Sequence, residues 1–313
     1  MTQNTVLITG ASGFIGKHVV RALAASGWAV RAAARDPAAI PVRAGVERVA
    51  LPDLVRPADW SKLVDGVSHI VHLAGIAHAP GRLPDEVYAR INTDAVGELA
   101  QAARGRVERL VLMSSVRAQA GLAADHVITE KDAARPTDAY GHSKLAAERL
   151  LKERGAGFTV LRPAVVYGKG AKGNIASLAT LAQTPMPLPF GGLDNRRSLL
   201  ALENLAAAIA LVLTSPQAEG ETFLVADSES ISVAELVSAM REGLGRAPHL
   251  VRVPAGAVKR LMATFGKEVE WERLSGSFVI DAAKLRGIGW TPRIKTRGGI
   301  ATMMRSTNGA STP

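Results

Sequence analysis

Two residues that could carry out proton chemistry stand four positions apart in this sequence. They are Tyr140 and Lys144, within Ala-Tyr-Gly-His-Ser-Lys-Leu, and on an α-helix this spacing puts both side chains on one face. A tyrosine hydroxyl titrates near 10, so its pKa must fall by about 3 units, or roughly 4 kcal/mol, for it to act as a base at pH 7. One neighbouring ammonium typically lowers a pKa by about 1 to 3 units, so Lys144 needs a second positive charge. An oxidised nicotinamide ring carries such a charge, and the pair therefore indicates a tyrosine acid/base that works with a nicotinamide cofactor.

A glycine-rich loop near the start of the chain could bind the pyrophosphate of that cofactor. Gly10, Gly13 and Gly16 have the spacing G-x-x-G-x-x-G, between a predicted strand at 5–8 and a predicted helix at 17–25. Glycines allow the backbone to approach a pyrophosphate that lies at the positive end of the following helix. This context makes the loop a specific signal for dinucleotide binding, which a lone glycine triplet would not be.

The end of the second predicted strand bears on the choice between NAD and NADP. An NAD enzyme usually has a carboxylate there, bonded to the ribose hydroxyls. Here Ala34 occupies that place and Arg35 follows, a cation suited to the 2′-phosphate of NADP. Asp36 leaves NAD open, although its place before Pro37 also fits a turn. The residues therefore favour NADP, with NAD as the alternative.

Short β-branched segments alternate with segments rich in Ala and Leu, which is the pattern of an α/β protein with a doubly wound parallel sheet. Strands are predicted at 5–8, 29–33, 46–51, 69–73, 109–113, 159–162 and 222–225, and helices at 17–25, 60–64, 86–103 and 139–154. After Tyr167 the alternation gives way to segments rich in Gly and Pro. We expect a Rossmann-type NAD(P)-binding domain at 1–166 and a smaller, mainly substrate-binding C-terminal lobe at 167–305, with about 195–228 returning to the sheet. Residues 306–313 are predicted to be a disordered tail.

The composition argues against several function classes. The 313 residues are 47 % hydrophobic and 21 % charged, and no segment has the length of a membrane span. The chain contains no cysteine, which fits the cytoplasm, and its histidine spacing matches no zinc pattern, so we expect no metal site. The net charge of +10 comes from scattered Lys and Arg, without the basic arm or aromatic platform of a nucleic-acid-binding protein.

The order of these motifs resembles the extended short-chain dehydrogenase/reductase family, which contains nucleotide-sugar epimerases, dehydratases and ketone reductases. The matching segments run from Thr9 to about Trp290, nearly the whole chain. They are TGASGFIG at 9–16, Asp53-Leu54, His72-Leu-Ala-Gly75, Asn92, Ser114-Ser115, YGHSK at 140–144, Leu161-Arg-Pro163 and Val165-Val-Tyr-Gly168.

The resemblance implies a role for each matching residue. Tyr140 would be the general acid/base, Lys144 would lower its pKa and hold the nicotinamide ribose, and Ser115 would hydrogen-bond the reacting oxygen. Asn92 would be a structural polar residue near the site. From the resemblance and from their places at strand ends, the candidate cofactor contacts are Gly10, Ser12, Gly13, Phe14, Ile15, Gly16, Arg35, Asp53, Leu54, Leu73, Ala74, Gly75, Tyr140, Lys144, Arg162 and Pro163.

Two segments of the second lobe resemble substrate-binding parts of nucleotide-sugar enzymes. Arg197 stands where the family has an arginine that holds the nucleotide diphosphate, and arginine suits a bidentate phosphate contact. Asn174 lies in a loop resembling one that closes over the nucleotide. The alternative for Arg197 is an exposed, solvated charge. Residues 116–121 depart from the family pattern, since Val-Arg-Ala-Gln-Ala-Gly replaces the common aromatic and glycine after the serine pair.

Three functions remain compatible with the sequence. In the first, an epimerase or dehydratase similar to UDP-sugar 4-epimerases acts on a nucleotide sugar by hydride transfer to and from the nicotinamide. In the second, an NADPH-dependent reductase transfers hydride to a ketone or aldehyde, which Arg35 favours. The third is a non-catalytic dinucleotide-binding module, against which the intact Ser115, Tyr140 and Lys144 argue. The resemblance also implies a homodimer.

Overall fold

The computed structural model describes residues 4–77, 83–155, 157–264, 266, 271 and 274–308. The described strands are β1 (Thr5–Thr9), β2 (Ala29–Ala34), β3 (Val46–Ala50), β4 (His69–His72), β5 (Arg109–Met113), β6 (Phe158–Pro163), β7 (Val165–Tyr167), β8 (Arg196–Arg197), β9 (Leu199–Ala201), β10 (Thr222–Val225) and β11 (Ile231–Ser232). Seven of them form one parallel sheet in the order β10-β6-β5-β4-β1-β2-β3. This confirms the predicted doubly wound parallel sheet.

The strand order of this sheet fixes where a ligand would bind. β1 pairs with β2 on one side and with β4 on the other, so the direction of winding reverses at β1. In open parallel sheets ligands bind beyond the carboxyl ends of the strands at such a reversal. β4 and β5 are buried at every position, as expected when both faces of a parallel sheet are covered by helices.

Each predicted helix is found among the described helices, and one predicted helix is observed as two shorter ones. They are α1 (Phe14–Ala25), α2 (Ser61–Val64), α3 (Asp85–Tyr88), α4 (Ala95–Ala103), α5 (Ala139–Arg154), α6 (Gly173–Gln183), α7 (Leu202–Thr214), α8 (Val233–Gly243), α9 (Ala255–Thr264), α10 (Ala283–Gly287) and α11 (Thr296–Asn308). The helix predicted at 86–103 consists of α3 and α4, joined by a wider π-helical turn at Ala89–Asp94. No helix among these described elements is long and apolar enough to cross a membrane.

The C-terminal segments form a second layer around their own core. β7 pairs with β9 and β8 pairs with β11, while α6, α8 and α11 contribute to an apolar cluster that includes Leu178, Val237 and Ile300. β10 returns to the large sheet beside β6, as predicted. α11 runs past the predicted start of the tail at 306, because it packs on α8. The remaining tail residues, 309–313, lie outside the described residues.

Candidate active site

The glycine loop between β1 and α1 is closed so tightly that side chains cannot enter it. Gly10 has a φ of +69°, and a Cβ there would lie 2.8 Å from the backbone nitrogen of Ala74. A Cβ on Gly16 would lie 2.1 Å from the carbonyl oxygen of Gly10. Gly13 occupies the N-cap of α1 and supplies no side-chain cap, which leaves the helix N-terminus able to receive an anion. The loop therefore fits the pyrophosphate of a dinucleotide.

The other predicted cofactor residues lie around this loop and at the neighbouring strand ends. Arg35 is exposed directly after β2 and makes no ion pair with another described residue. Asp53 is exposed after β3, where its Oδ1 accepts a hydrogen bond from the backbone of Val55 at 3.1 Å. Leu54 is buried. The remaining residues, Ser12, Phe14, Ile15 and Leu73, are partly buried at the carboxyl edge of the sheet or in the start of α1.

Asn92 holds the segment after β4 against α5. It lies in the π-helical turn, is buried, and its Oδ1 accepts a hydrogen bond from Ile76 N at 2.9 Å. Its Nδ2 donates to Ile76 O at 2.9 Å and to Ser143 Oγ at 3.1 Å. A Cβ on Gly75 would lie 2.7 Å from Asn92 Oδ1. These contacts support the predicted structural role of Asn92 and explain why Gly75 carries no side chain.

The side chains of Ser115 and Tyr140 lie close together, and the hydroxyl of Ser115 acts to lower the pKa of Tyr140. Ser115 follows the end of β5, and its Oγ accepts a hydrogen bond from Arg117 N at 3.1 Å. Tyr140 lies in the first turn of α5. This turn begins at Asp138, whose Oδ1 accepts a hydrogen bond from Gly141 N at 2.7 Å. A carbonyl or hydroxyl of a substrate could therefore meet both hydroxyls at once, which is the arrangement that acid/base catalysis requires.

Burial raises the pKa of Tyr140 to about 12. The hydroxyl of Ser115 and the positive charge of Arg117 act in the opposite direction, and Asp138 adds to the increase. We expected Lys144 to lower this pKa. In the protein alone the pKa lies above its ordinary value instead, because burial outweighs the nearby charges.

Lys144 is buried one turn after Tyr140 on α5. Burial lowers its pKa to about 8, and the carboxylate of Glu148 opposes this change. A Cβ on Gly75 would lie 3.9 Å from Lys144 Nζ, so the ammonium reaches the carboxyl edge of β4. The contact of Lys144 with the nicotinamide ribose stays a prediction.

Arg162, one of the candidate cofactor contacts, belongs to a buried polar network. Its Nε and Nη2 donate to the two carboxylate oxygens of Glu148 at 2.9 and 2.5 Å, and its Nη1 donates to Gln119. Ser114 Oγ also donates to Glu148. The network joins the end of β5, the end of β6 and α5, and Pro163 is buried beside it. We missed Glu148 in the sequence, although it follows Lys144 by four residues on the same helix face.

On the substrate side, Arg197 points to the segment after Ser115. Its Nη1 donates to Gly276 O at 2.5 Å and its Nη2 to Leu122 O at 3.2 Å. Burial lowers the pKa of Arg197 to about 10, and the charge of Arg117 adds to this effect. Arg197 is therefore not the freely solvated charge of the alternative interpretation. Asn174, the second residue of α6, is exposed.

Sequence comparison assigns this chain to a known family. The family model described as NAD dependent epimerase/dehydratase family matches residues 6–226. The chain belongs to this family. The predicted resemblance and the fold class are thereby confirmed, and the protein is an NAD(P)-dependent enzyme.

Three relatives illustrate the range of this family. The UDP-glucose 4-epimerase of Vibrio cholerae is 31% identical over 300 residues, 92% of this chain and 90% of that protein. The ceramide reductase of Caulobacter vibrioides is 26% identical over 296 residues, 93% of this chain and 86% of that protein. MoeE5, solved in complex with UDP-glucose and NAD, is 28% identical, with a TM-score of 0.77 over 99% of this chain and 100% of that chain. The relatives of this chain thus include an epimerase and a reductase.

Proposed function

We propose that this family member is a nucleotide-sugar 4-epimerase. The observation that carries the proposal is the combination of two neighbouring hydroxyls, Ser115 and Tyr140, with a half-buried guanidinium, Arg197, that contacts Leu122 O on the segment after Ser115. The hydroxyl pair suits a sugar oxygen, and the guanidinium suits a diphosphate. The Vibrio cholerae relative and the complex of MoeE5 with UDP-glucose support the same substrate class.

In this proposal each residue has a defined task. The glycine loop and the N-terminus of α1 hold the pyrophosphate of the dinucleotide, and Lys144 holds its ribose. When bound, a nicotinamide supplies the acceptor and the donor of hydride. Tyr140 removes the proton from the sugar hydroxyl and later returns it, while Ser115 donates a hydrogen bond to the oxygen. Because Tyr140 is neutral in the protein alone, it must ionise before it can act as the base.

The test of this proposal is the contact between Arg197 and the nucleotide. We expect the wild type to bind UDP and UDP-glucose, and Arg197→Ala to weaken both by about ten-fold or more, as for the loss of a charge-assisted hydrogen bond. NAD affinity should not change. Isothermal titration calorimetry measures all three. Arg197→Lys, which keeps the charge but loses the planar fork, should lie between the two.

Arg196→Ala is the matched control for this experiment. Arg196 is exposed and pairs with Glu235 at 3.4 Å and with Ser230 O at 2.6 Å, so its removal should leave UDP affinity unchanged. If the wild type binds no UDP, or if Arg197→Ala binds it as tightly as the wild type does, the nucleotide-sugar proposal is wrong.

The second candidate function is an NADPH-dependent reductase of a ketone or aldehyde. Ser115 and Tyr140 would then polarise the carbonyl and deliver the proton to its oxygen. The ceramide reductase of Caulobacter vibrioides supports this reaction class. Arg35 also supports it, because this exposed cation follows β2, where the 2′-phosphate of NADP would lie.

Cofactor titrations separate the two candidates. If Arg35 binds the 2′-phosphate, Arg35→Ala should lose NADP affinity by about ten-fold or more and NAD affinity little, since only NADP carries that group. Arg43→Ala is the control, because Arg43 is an exposed arginine before β3, at the opposite edge of the sheet. Equal losses of NAD and NADP affinity, or no loss of either, would remove the preference for NADP.

A further inference from the structure

Arg117 lies inside the site, although no prediction from the sequence assigned it a role. It is the second residue after Ser115, and its backbone N–H donates to Ser115 Oγ at 3.1 Å. A Cβ on Gly141 would lie 2.4 Å from Arg117 O, so the first turn of α5 packs directly against it. The positive charge of Arg117 is one of the two influences that oppose the increase in the pKa of Tyr140. The guanidinium is therefore a neighbour of the reacting hydroxyl.

The fold uses only part of the hydrogen-bonding capacity of this guanidinium. Its Nη2 donates to Asp138 Oδ2 at 2.6 Å. Its Nη1 is buried and has no hydrogen-bond partner among the described residues, while the whole side chain is 18% exposed. Buried donors in native proteins almost always have a partner. A donor that the fold leaves unpaired beside a catalytic tyrosine points to a partner on the ligand.

A second cation, Arg197, lies near Arg117. Arg197 donates from Nη2 to Leu122 O, on the loop that Arg117 begins, and the charge of Arg117 contributes to lowering the pKa of Arg197. Arg117 is paired with one carboxylate, that of Asp138, whereas the described hydrogen bonds of Arg197 go to carbonyl oxygens and its guanidinium lies over the ring of Phe278. The two guanidiniums thus leave an excess of positive charge, which an anionic ligand group would neutralise.

We propose that Arg117 binds an anionic oxygen of the nucleotide sugar next to Tyr140. The proposal rests on the proposed function of the same site. In a nucleotide sugar the anionic oxygen has two sources, a carboxylate on the sugar and the diphosphate. Both would accept from the free Nη1 while Nη2 remains on Asp138. The experiment distinguishes the carboxylate from the diphosphate by comparing ligands with and without the sugar carboxylate.

The experiment measures the binding of three probes to NAD-loaded protein by isothermal titration calorimetry. The probes are UDP, UDP-glucose and UDP-glucuronate, which differ in the sugar and in its carboxylate. Arg117→Ala should weaken UDP-glucuronate by about ten-fold or more, the usual loss for a charge-assisted hydrogen bond. Unchanged binding of UDP and UDP-glucose assigns the contact to the sugar carboxylate, whereas equal weakening of all three probes assigns it to the diphosphate.

Asp138→Asn separates ligand binding from a structural role of the ion pair. Asparagine retains the N-cap of α5 and leaves the cation of Arg117 in place, so the affinity for UDP-glucuronate should be retained or increased. A loss that matches Arg117→Ala would show that the ion pair merely holds the site together, and would overturn the proposal. Arg196→Ala again controls for the removal of a positive charge.

Two remaining outcomes distinguish this proposal from the proposed function. If the wild type binds the probes and Arg117→Ala binds all of them equally well, the role of Arg117 is refuted and the nucleotide-sugar function stands. If the wild type binds none of them, the nucleotide-sugar function fails, and the role of Arg117 fails with it. Circular dichroism and NAD affinity verify that each variant is folded.

Discussion

Opposing influences surround the hydroxyl of Tyr140. Burial, Asp138 and Tyr88 favour its neutral form, while the hydroxyl of Ser115 and the charge of Arg117 favour the phenolate. The influences that favour the neutral form are stronger, so in the protein alone the hydroxyl of Tyr140 is protonated at neutral pH. Tyr140 is thus prepared to donate a proton, and it becomes a base only when more positive charge is close to it.

We expect Tyr140→Phe to remove most turnover while preserving the fold and the cofactor affinity. The loss of an acid/base group typically lowers a rate by about 10² to 10⁴. Steady-state kinetics on the identified substrate measure kcat, and titration measures NAD affinity. Tyr88→Phe is a matched control, since it makes the same chemical change at a neighbouring tyrosine and should lower kcat far less. Near-normal kcat in Tyr140→Phe would contradict the catalytic assignment.

The pH dependence of the wild type should follow from the two perturbed groups. The base form of Tyr140 is the phenolate, so the rate of the step that removes a proton should rise with pH. Lys144, whose pKa burial lowers to about 8, loses its positive charge above that pH, and the increase should end there. A rate that falls steadily from acid to neutral pH would be inconsistent with Tyr140 as the base.

Helix α5 brings most of the site together. Tyr140, Lys144 and Glu148 follow one another at intervals of four residues, so they share one face that points to the ends of β5 and β6. Tyr140 meets Ser115, and Glu148 meets Ser114 and Arg162. One helix face therefore fixes the distance between the hydroxyl of Tyr140 and the ammonium of Lys144.

Local patterns were sufficient to predict much of this arrangement. The seven strands of the main sheet, the glycine loop and the bounds of α5 follow from hydrophobic periodicity, glycine spacing and an N-cap. The capping box of α8, formed by Ser232 and Glu235, likewise depends on residues three positions apart. These features depend on residues that are close in sequence, which is why a single sequence reveals them.

Features that depend on distant partners were not predictable in this way. The π-helical turn at Ala89–Asp94 divides a continuous helical pattern, and its Asn92 is bonded to Ile76 on another segment. The pairing of Arg162 with Glu148 likewise joins a strand end to a helix. The unpaired donor of Arg117 is visible only once all neighbouring side chains are in place.

At the scale of the whole molecule, Asp227 connects the large sheet to the second layer. It follows β10 and is buried. Its carboxylate accepts hydrogen bonds from Asn204 Nδ2 at 2.7 Å, Tyr167 OH at 2.9 Å and Ala201 N at 3.0 Å. Thr296 Oγ1 at the start of α11 adds a contact at 3.3 Å. Four separate elements thus converge on one side chain, and its protonation should affect the stability of the whole protein.

Burial raises the pKa of Asp227 above its ordinary value, against the effect of these hydrogen bonds. Between the ordinary value of 3.8 and the raised one, the folded protein binds more protons at this site than the unfolded chain does. The contribution of Asp227 to the free energy of unfolding is therefore fully present below 3.8 and is lost as pH rises through the raised pKa.

Urea denaturation at a series of pH values should show this decline in the wild type relative to Asp227→Asn, which cannot titrate. Tyr167→Phe, which removes one donor to this carboxylate, should cost about 0.5–1.5 kcal/mol where Asp227 is ionised and less where it is protonated. If the difference between wild type and Asp227→Asn does not change with pH, the carboxylate has the same pKa in both states and does not couple protonation to folding.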